Sequence, residues 1–296
     1  MKHDGLLESP PWGCRVKRNR YLDALAYMPV GIYSHGGLGA AKGAAYSALL
    51  SFFPVFTFTT AALVEANATV VARRIASLLY EFSPPEVEQF LRAWLSEHGK
   101  SHASLRVAAV TFSLWAASGV VASLMGAFQG AYHKNTTRGI VHQRVIAVSL
   151  VVLSLLPAVG ATMLVVLGDR VENSVMEWLG VAGAGGYLRP GVRILNRVIR
   201  YIVALSSVCL VTLMLYRFGP DVKGTRRLLP GAALATVLWL LLTQAFTWYV
   251  RNVANYSLLY GSVGAVIAFL VWMYLLALVA IGGCEFNAAL DRSSHK

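Results

Sequence analysis

Long apolar stretches alternate with short polar segments along most of the chain, and this pattern predicts its helices. Each stretch lacks Asp, Glu, Lys, Arg and His over most or all of its length. A helix crosses about 30 Å of hydrocarbon with about 20 residues, so each stretch predicts one membrane span. The six predicted spans cover residues 44–64, 107–132, 145–168, 198–216, 229–250 and 258–284. The fourth contains Arg200 near its start, where a long basic side chain can extend to the membrane interface.

Shorter amphipathic patterns lie between and before these spans. Segments 71–82, 87–95 and 171–179 place apolar residues three and four positions apart, which is the spacing of one helical face. Segment 21–34 is mixed and predicts a short interfacial helix. A flexible lead into the first span is then predicted by Gly36, Gly37, Gly39 and Gly43. The short helices either lie in the membrane interface or only pack against the bundle, and the pattern leaves both alternatives open.

Composition narrows the fold class. Of the 296 residues, 56% are apolar and 14% are charged, and the mean hydropathy is +0.57. Soluble domains carry about 25% charged residues, so this chain lacks the polar surface that soluble domains need, and it is neither disordered nor collagen-like. We therefore predict an all-α, polytopic membrane helix bundle. It comprises an N-terminal arm at 1–43, one six-span domain at 44–284 and a C-terminal tail at 285–296.

The distribution of charge predicts the orientation. The chain has 26 Lys and Arg against 14 Asp and Glu, a formal net charge of +12. The short loops 133–144 and 217–228 are rich in basic residues, and their one acidic residue is Asp221. Such loops stay in the cytoplasm, so both termini are predicted to be cytoplasmic. No signal peptide is expected in residues 1–43. We expect the basic loops to contact anionic lipid headgroups, and we expect no nucleic-acid partner.

No catalytic or metal-ligand pattern is recognisable in the sequence. His98 and His102 are four residues apart but lack the glutamate of an HExxH motif. The cysteines at 14, 209 and 284 form no CxxC pair, so neither a zinc knuckle nor a redox motif is indicated. A Gly-rich phosphate loop and a GxSxG elbow are also missing. We therefore predict a protein that is not an enzyme and that uses no metal and no cofactor.

Ionisable groups are expected only at the ends of the spans, although ion-coupled carriers usually place one at membrane depth. The most interesting is Glu285, at the predicted cytoplasmic end of span six. We expect its carboxylate to be solvated or paired with a basic loop. Inside spans one and three, Pro54 and Pro157 predict helix kinks, because each proline removes a backbone donor.

Small residues recur every four positions in span two. They form a stripe of Ser118, Ala122, Gly126 and Gly130 and a parallel row of Gly119, Ser123, Ala127 and Ala131. Small side chains let two helix backbones approach closely, which stabilises packing in a membrane. The pattern predicts tight helix packing, either within the chain or between copies in a homo-oligomer.

Four stretches of the chain resemble one family, the YihY/BrkB membrane proteins, once labelled ribonuclease BN. The longest is YVRNVANYSLLYGSVGAVIAFLVWMYLLALVAIGGCEFNAAL at 249–290. The others are AAYSALLSFFPVF in span one, LWAASGVVASLMGAFQGAYHKNTTRG in span two and YRFGPDVKGTRRLLPGA before span five. The resemblance implies a six-span inner-membrane protein with cytoplasmic termini. It implies no settled activity, because the ribonuclease label is regarded as mistaken.

The resemblance also favours transport, because relatives are linked to serum resistance and to export of envelope lipids. Carried over to this chain, the family pattern falls on Asn255, Tyr256, Tyr260, Gly261, Gly264, Glu285 and Asn287. We expect these residues to line a cavity open to one leaflet. The favoured function is a transporter or flippase of an envelope lipid or another amphipathic solute. A non-transporting membrane scaffold is the alternative, and an RNA-processing enzyme is the least favoured.

Overall fold

The computed structural model describes residues 20–65, 103–133, 139–178, 190–220, 227–252 and 262–294. In these ranges the chain is helical apart from short turns and contains no strand. The seven helices are α1 (Arg20–Ser34), α2 (Gly37–Glu65), α3 (Ala103–Ala131), α4 (Ile140–Trp178), α5 (Pro190–Phe218), α6 (Leu229–Asn252) and α7 (Ser262–Ser294). The predicted all-α fold is confirmed.

Five of these helices are long and apolar enough to cross a membrane. Their apolar segments are Val110–Ala131, Ile140–Ala161, Val198–Phe218, Leu229–Val250 and Val266–Ser293. They overlap the second to sixth predicted spans, with one or both ends shifted in all but the fifth. The first predicted span, 44–64, lies within α2, and the count of six stays a prediction. Because a helix pairs its own backbone groups, it is the element that an apolar run can form in lipid. The molecule is a helical membrane bundle.

The glycines before the first predicted span do not form a flexible lead. Only the first of them is in a turn, where Gly36 has a φ of 69°, and α2 already begins at Gly37. A Cβ at Gly37 would lie 3.1 Å from the side chain of Ile281, and one at Gly43 would lie 3.3 Å from the Ser123 hydroxyl. At Gly37 and Gly43, the small size of glycine lets α2 approach α7 and α3 closely.

Two other helices extend past their predicted ends. α4 runs without a break to Trp178, so the stripe at 171–178 belongs to the same helix as span three. No glycine or proline separates Asp169 from Trp178, and the helix therefore has no local signal to stop there. α7 runs to Ser294, so the predicted tail at 285–296 starts inside a helix. The predicted helices at 71–82 and 87–95 lie outside the described residues.

The central element of the described bundle is α7, which contacts α1, α2, α3 and α6. All of its residues from 280 to 288 are buried. In the main core, Ile281 and Cys284 of α7 meet Phe128 of α3 and Tyr216 of α5. The Phe128 and Tyr216 rings pack edge to face at 5.4 Å, a favoured geometry for aromatic pairs.

Two side chains attach the neighbouring helices to the backbone of α7. The hydroxyl of Tyr216 on α5 donates a 2.6 Å hydrogen bond to the carbonyl of Ala280. The indole nitrogen of Trp239 on α6 donates a 2.8 Å bond to the carbonyl of Leu276. Both donors therefore find acceptors in a place where water is scarce.

The small-residue rows of α3 face different surroundings. In the parallel row, a Cβ at Gly119 would lie 3.1 Å from the Ser47 hydroxyl of α2. In the main stripe, Ser118 is buried and Gly130 lies against the backbone of His35. Ala122 is half-buried, and Gly126 is exposed with no described heavy atom within 4 Å of an added Cβ. Close helix contact within the chain is therefore made mainly by the parallel row.

Both proline positions lie inside continuous helices, Pro54 in α2 and Pro157 in α4. The carbonyl of Pro157 accepts a 2.7 Å hydrogen bond from the hydroxyl of Ser207 on α5. This bond joins α4 to α5 at the proline, but the carbonyl that loses its helical donor is that of Leu153, four residues earlier.

Candidate functional site

Glu285 carries a fully buried carboxyl group in the described bundle. Its side chain has 0% exposure, so the expectation of a solvated carboxylate is wrong. Oε1 lies 2.6 Å from Nδ1 of His35. Oε2 has no hydrogen-bond partner among the described residues. One half of the carboxyl group is therefore paired and the other half is not.

Glycines bring the partners of Glu285 together. His35 lies in the turn between α1 and α2, where Gly36 has a positive φ that suits glycine. Gly31 of α1 lies so close to Glu285 that a Cβ there would be 2.6 Å from Oε2. A Cβ at Gly130 of α3 would be 3.1 Å from the carbonyl oxygen of His35. The backbone thus reaches the carboxyl group where side chains would keep it away.

Positively charged and basic groups surround this pair. The ring of His133 packs edge to face on the ring of His35, with 4.8 Å between centroids. Arg292 of α7 lies 3.2 Å from Nε2 of His133 through Nη1, and it also donates to the carbonyl of Ala131 at 3.3 Å. Its guanidinium stacks over the ring of Tyr27 at 5.0 Å. The array Glu285–His35–His133–Arg292 therefore connects α7 to the α1–α2 turn and to the end of α3.

The turn that terminates α3 fixes the position of His133. Its φ of 51° is in the left-handed region, and its N–H bonds the carbonyl of Gly130 at 2.9 Å, which is a usual way to terminate a helix. Desolvation lowers the pKa of His133 below 6.5, and the positive charges of His35 and Arg292 lower it further, while Glu285 acts in the opposite direction. A neutral ring leaves the lone pair of Nε2 free to accept the hydrogen bond that Arg292 donates.

Asn287 faces a different neighbour from Glu285. Its Oδ1 accepts a 2.7 Å hydrogen bond from the N–H of Gly231, and its Nδ2 donates a 2.9 Å bond to the carbonyl of Leu228. These groups belong to the start of α6, where backbone N–H groups have no partner within the helix. Asn287 therefore caps α6 from another helix.

Of the seven residues carried over from the family pattern, the structure describes three, and these three lie apart from one another. Two residues apart on a helix means about 200° of rotation, so Glu285 and Asn287 face opposite sides of α7. Gly264 is buried in the same helix, about 30 Å from Glu285 along its axis. The remaining four lie outside the described residues: Asn255, Tyr256, Tyr260 and Gly261.

Sequence reasoning missed most of the array. His35, His133 and Arg292 gave no motif, and His35 is 250 positions from Glu285. Asn287 had a detectable signal, because Leu228 and Leu229 stand where α6 would carry a capping Ser, Thr, Asp or Asn. The first backbone N–H groups of such a helix need partners from outside it, and here Asn287 of α7 provides one.

The described residues offer two further observations about binding. No group of three or more His, Cys, Asp or Glu among them could hold a metal ion. A shallow groove of about 700 Å³ on α3 is lined by Ala108, Thr111, Phe112 and Trp115. The guanidinium of Arg144 stacks over Trp115 at 4.9 Å beside it. The described residues carried over from the family pattern, Gly264, Glu285 and Asn287, do not line this groove.

Comparison with known proteins identifies the family. The model of the family described as Virulence factor BrkB matches residues 31–296. The chain belongs to the BrkB family. The match includes the whole of the Glu285 array, from His35 through His133 to Arg292, so the array lies in the part of the chain that the BrkB family shares.

Curated proteins agree with the BrkB assignment. YfkH of Bacillus subtilis, named as a ribonuclease-like protein, is 27% identical over 87% of this chain and 91% of its own length. A UPF0761 membrane protein of Alcanivorax borkumensis is 25% identical over 85% of this chain, but the match covers 56% of that protein. Another, from Vibrio campbellii, is 38% identical over 22% of this chain and 21% of its own length. No solved structure matches significantly.

Proposed function

We propose that this BrkB-family protein transports or flips an envelope lipid or another amphipathic solute across the bacterial inner membrane. The observation that carries the proposal is the buried carboxyl group of Glu285, inside the apolar helix segment Val266–Ser293. Ionisable residues within membrane helices are costly and mark ion or substrate pathways. A bundle that serves only for packing gains nothing from such a group, because an apolar side chain of similar size would pack there at lower cost.

The energy source and the orientation belong to the same proposal. The sequence lacks a nucleotide-binding loop, so transport would be driven by an ion gradient or by a partner protein. Both termini lie in the cytoplasm in this proposal, and the basic loops 133–144 and 217–228 bind anionic headgroups. An attraction of about 1 kcal/mol for each basic residue near an anionic surface supports such contacts.

A membrane scaffold is the second candidate function. The observation that favours it is the exposed face at Gly126 of α3, where a second copy of the chain would find room for close packing. In that case the protein would form a homo-oligomer or hold other membrane proteins together. Ribonuclease activity is the third and weakest candidate, because hydrolysis of RNA generally needs several carboxylates or histidines around metal ions.

Lipid translocation in proteoliposomes tests these candidates. The purified protein is reconstituted with fluorescent neutral and anionic lipids, and the accessibility of each lipid to an external quencher is followed over time. We expect protein-dependent movement of at least one lipid, reduced in Glu285→Gln. The matched control Asp23→Asn removes an exposed carboxyl group from α1 and should keep the wild-type rate.

Two outcomes would contradict transport. The first is the absence of movement for every lipid, with or without a pH gradient, which would favour the scaffold. The second is equal movement in wild type and in Glu285→Gln, which would remove the link between the buried carboxyl group and transport. RNA degradation by the same preparation, dependent on added metal and absent from empty vesicles, would favour the enzyme.

A further inference from the structure

We propose that Glu285 is a proton-binding site, that His35 is the group through which the proton enters and leaves, and that this proton is the coupling ion. The statement about coupling rests on the proposed transport function. The statement about proton binding rests on the geometry of the array alone. The proton comes from bulk water and returns to it, so no other reactant is needed.

The unpaired oxygen of Glu285 is the first argument. The side chain is fully buried, Oε1 is bonded to His35, and Oε2 faces the backbone of Gly31 without a donor among the described residues. An ionised carboxylate in this position has one charged oxygen that neither water nor protein stabilises. A proton that His35 passes from Nδ1 to Oε1 neutralises the whole carboxyl group, so that Oε2 becomes an uncharged carbonyl oxygen and no atom larger than hydrogen is added.

The surrounding groups favour a proton over a metal cation. A hard cation such as Na⁺ or Ca²⁺ needs several oxygen ligands, whereas the described contacts of the carboxyl group are with the imidazole of His35 and the backbone of Gly31. Arg292 lies beyond His133 and opposes a metal cation with its fixed positive charge. A proton shared between a carboxyl group and an imidazole needs no such ligand set.

Glu285 provides the carboxyl group at the centre of the array, and the other ionisable groups lie on the helices around it. On α6, residues 229–248 include none, and the hydroxyl of Tyr216 on α5 is bonded to Ala280. The titratable and charged residues on the helices and turns around Glu285 are Arg20, Tyr21, Asp23, Tyr27 and Tyr33 of α1, His35 of the α1–α2 turn, Lys42, Tyr46 and Glu65 of α2, Arg106 of α3, Tyr132 and His133 after α3, Arg193, Arg197, Arg200, Tyr201, Cys209, Tyr216 and Arg217 of α5, Tyr249 and Arg251 of α6, and Tyr274, Cys284, Asp291 and Arg292 of α7. Asp23, Lys42 and Tyr46 are exposed.

His35 provides the path to water. Its side chain keeps 12% exposure, whereas that of Glu285 has none. The ring bonds Glu285 through Nδ1, so its second nitrogen is the position at which a proton can be exchanged with solvent. The lowered pKa of His133 keeps that neighbouring ring mostly neutral near pH 7, which limits its electrostatic opposition to a proton on His35. Proton transfer then runs from water to His35 and from His35 to the carboxyl group.

Infrared difference spectroscopy of the purified protein tests proton binding without any transport assay. In wild type we expect a protonated-carboxyl band that grows as the pH falls and shifts in heavy water. The band should be lost in Glu285→Gln and kept in the control Asp23→Asn. In His35→Gln, proton exchange at the band should slow, while in the control His142→Gln, at an exposed position of α4, it should not.

Two spectroscopic results would contradict proton binding by Glu285. A wild-type protein without a titrating carboxyl band contradicts it, and so does a band that persists in folded Glu285→Gln. Circular dichroism and gel filtration establish whether that variant folds. If it does not, Glu285→Asp keeps the carboxyl group at a changed distance, and the band must then change frequency. An unchanged band in Glu285→Asp assigns it to another residue and overturns the proposal.

Proteoliposomes separate the failure of coupling from the failure of transport. We expect an imposed pH gradient to accelerate lipid movement in wild type and to have no effect in Glu285→Gln. If lipid moves at the same rate with and without the gradient, proton coupling is wrong although the transport function stands. If no lipid moves, the transport function fails and coupling fails with it, while the infrared band still decides whether Glu285 binds a proton.

Discussion

In the two halves of α7, the burial of a residue does not follow its hydrophobicity. Residues 266–276 are almost all apolar, yet each of them is exposed or half-buried in the described bundle. Residues 280–288 include two glycines, Glu285 and Asn287, and every one of them is buried. In lipid, an apolar surface needs no cover, so the interior is selected for close approach and for paired polar groups. Polar and small residues therefore mark the core of this molecule better than large apolar residues do.

Among substitutions in the buried half of α7, the one that removes the cap of α6 should lower the unfolding free energy most. Asn287→Ala leaves the buried Gly231 N–H without its partner, at about 1–3 kcal/mol, whereas the Leu228 carbonyl keeps its bond from the Ala232 N–H. We expect a corresponding loss of unfolding free energy in detergent micelles, measured by urea denaturation. The matched control Gln143→Ala removes a half-buried amide from α4 that has no hydrogen-bond partner in the described part of the chain. Equal stability of the two variants would contradict the capping role.

Adding one methyl group should show that the glycines of the buried half are contact points. In Gly283→Ala, the new Cβ would overlap the Tyr216 hydroxyl and lie 2.7 Å from the Gly231 carbonyl oxygen. Such overpacking costs about 1–3 kcal/mol, and we expect a lower temperature of thermal unfolding. In the control Gly126→Ala, the described residues leave open space, so the gain in helix propensity of up to about 1 kcal/mol should remain.

The Gly126 control also tests association between copies. If Gly126→Ala unfolds at a lower temperature and elutes as a smaller species, the exposed glycine is a contact in a homo-oligomer. Equal destabilisation in Gly283→Ala and Gly126→Ala, with no change in size, would contradict the difference between the two faces.

Removing the Tyr216 hydroxyl should have a moderate effect. Tyr216→Phe keeps the ring against Phe128 and loses the bond to the Ala280 carbonyl, which is worth about 0.5–1.5 kcal/mol. Tyr274→Phe is the control on the same central helix, since its half-buried hydroxyl has no described partner. Urea denaturation should show a loss for the first variant alone, and a loss of equal size in both would refute the assignment.

The smallest expected effect concerns pH. The pKa of His133 is lowered in the folded protein, so the unfolded chain binds the proton more tightly. Stability should therefore decrease as the pH falls below 6.5, the ordinary value for histidine, and should be unaffected above it. Nuclear magnetic resonance titration of the labelled histidine ring should give a pKa that rises in Arg292→Met, because a positive neighbour is removed. An unchanged value would show that Arg292 does not act on His133.

The sequence predicts the helices well because their signals are local. The length and apolarity of a run decide whether it can span a membrane, and five of the predicted spans overlap described apolar helices. Helix ends were less predictable. α7 continues through its polar residues because its neighbours bury them, and no local pattern reports the position of a neighbour.

The site could be predicted only in part. Glu285 and Asn287 were singled out, but their burial depends on partners that the sequence places far away. His35 is 250 positions from Glu285, and Gly231 is 56 positions from Asn287. A single sequence contains no information about which distant segments meet. The missing cap at the start of α6 was the one local sign that a distant partner must exist.

The two side-chain bonds to the backbone of α7 restrict how this helix can move. Tyr216 and Trp239 hold the carbonyls of Ala280 and Leu276, which are one turn apart on the same helix. Rotation of α7 about its own axis, or a slide along it, would break both bonds at once. Tilting α7 together with α5 and α6 would break neither. A rearrangement of the bundle that keeps both bonds should therefore move α7 together with α5 and α6.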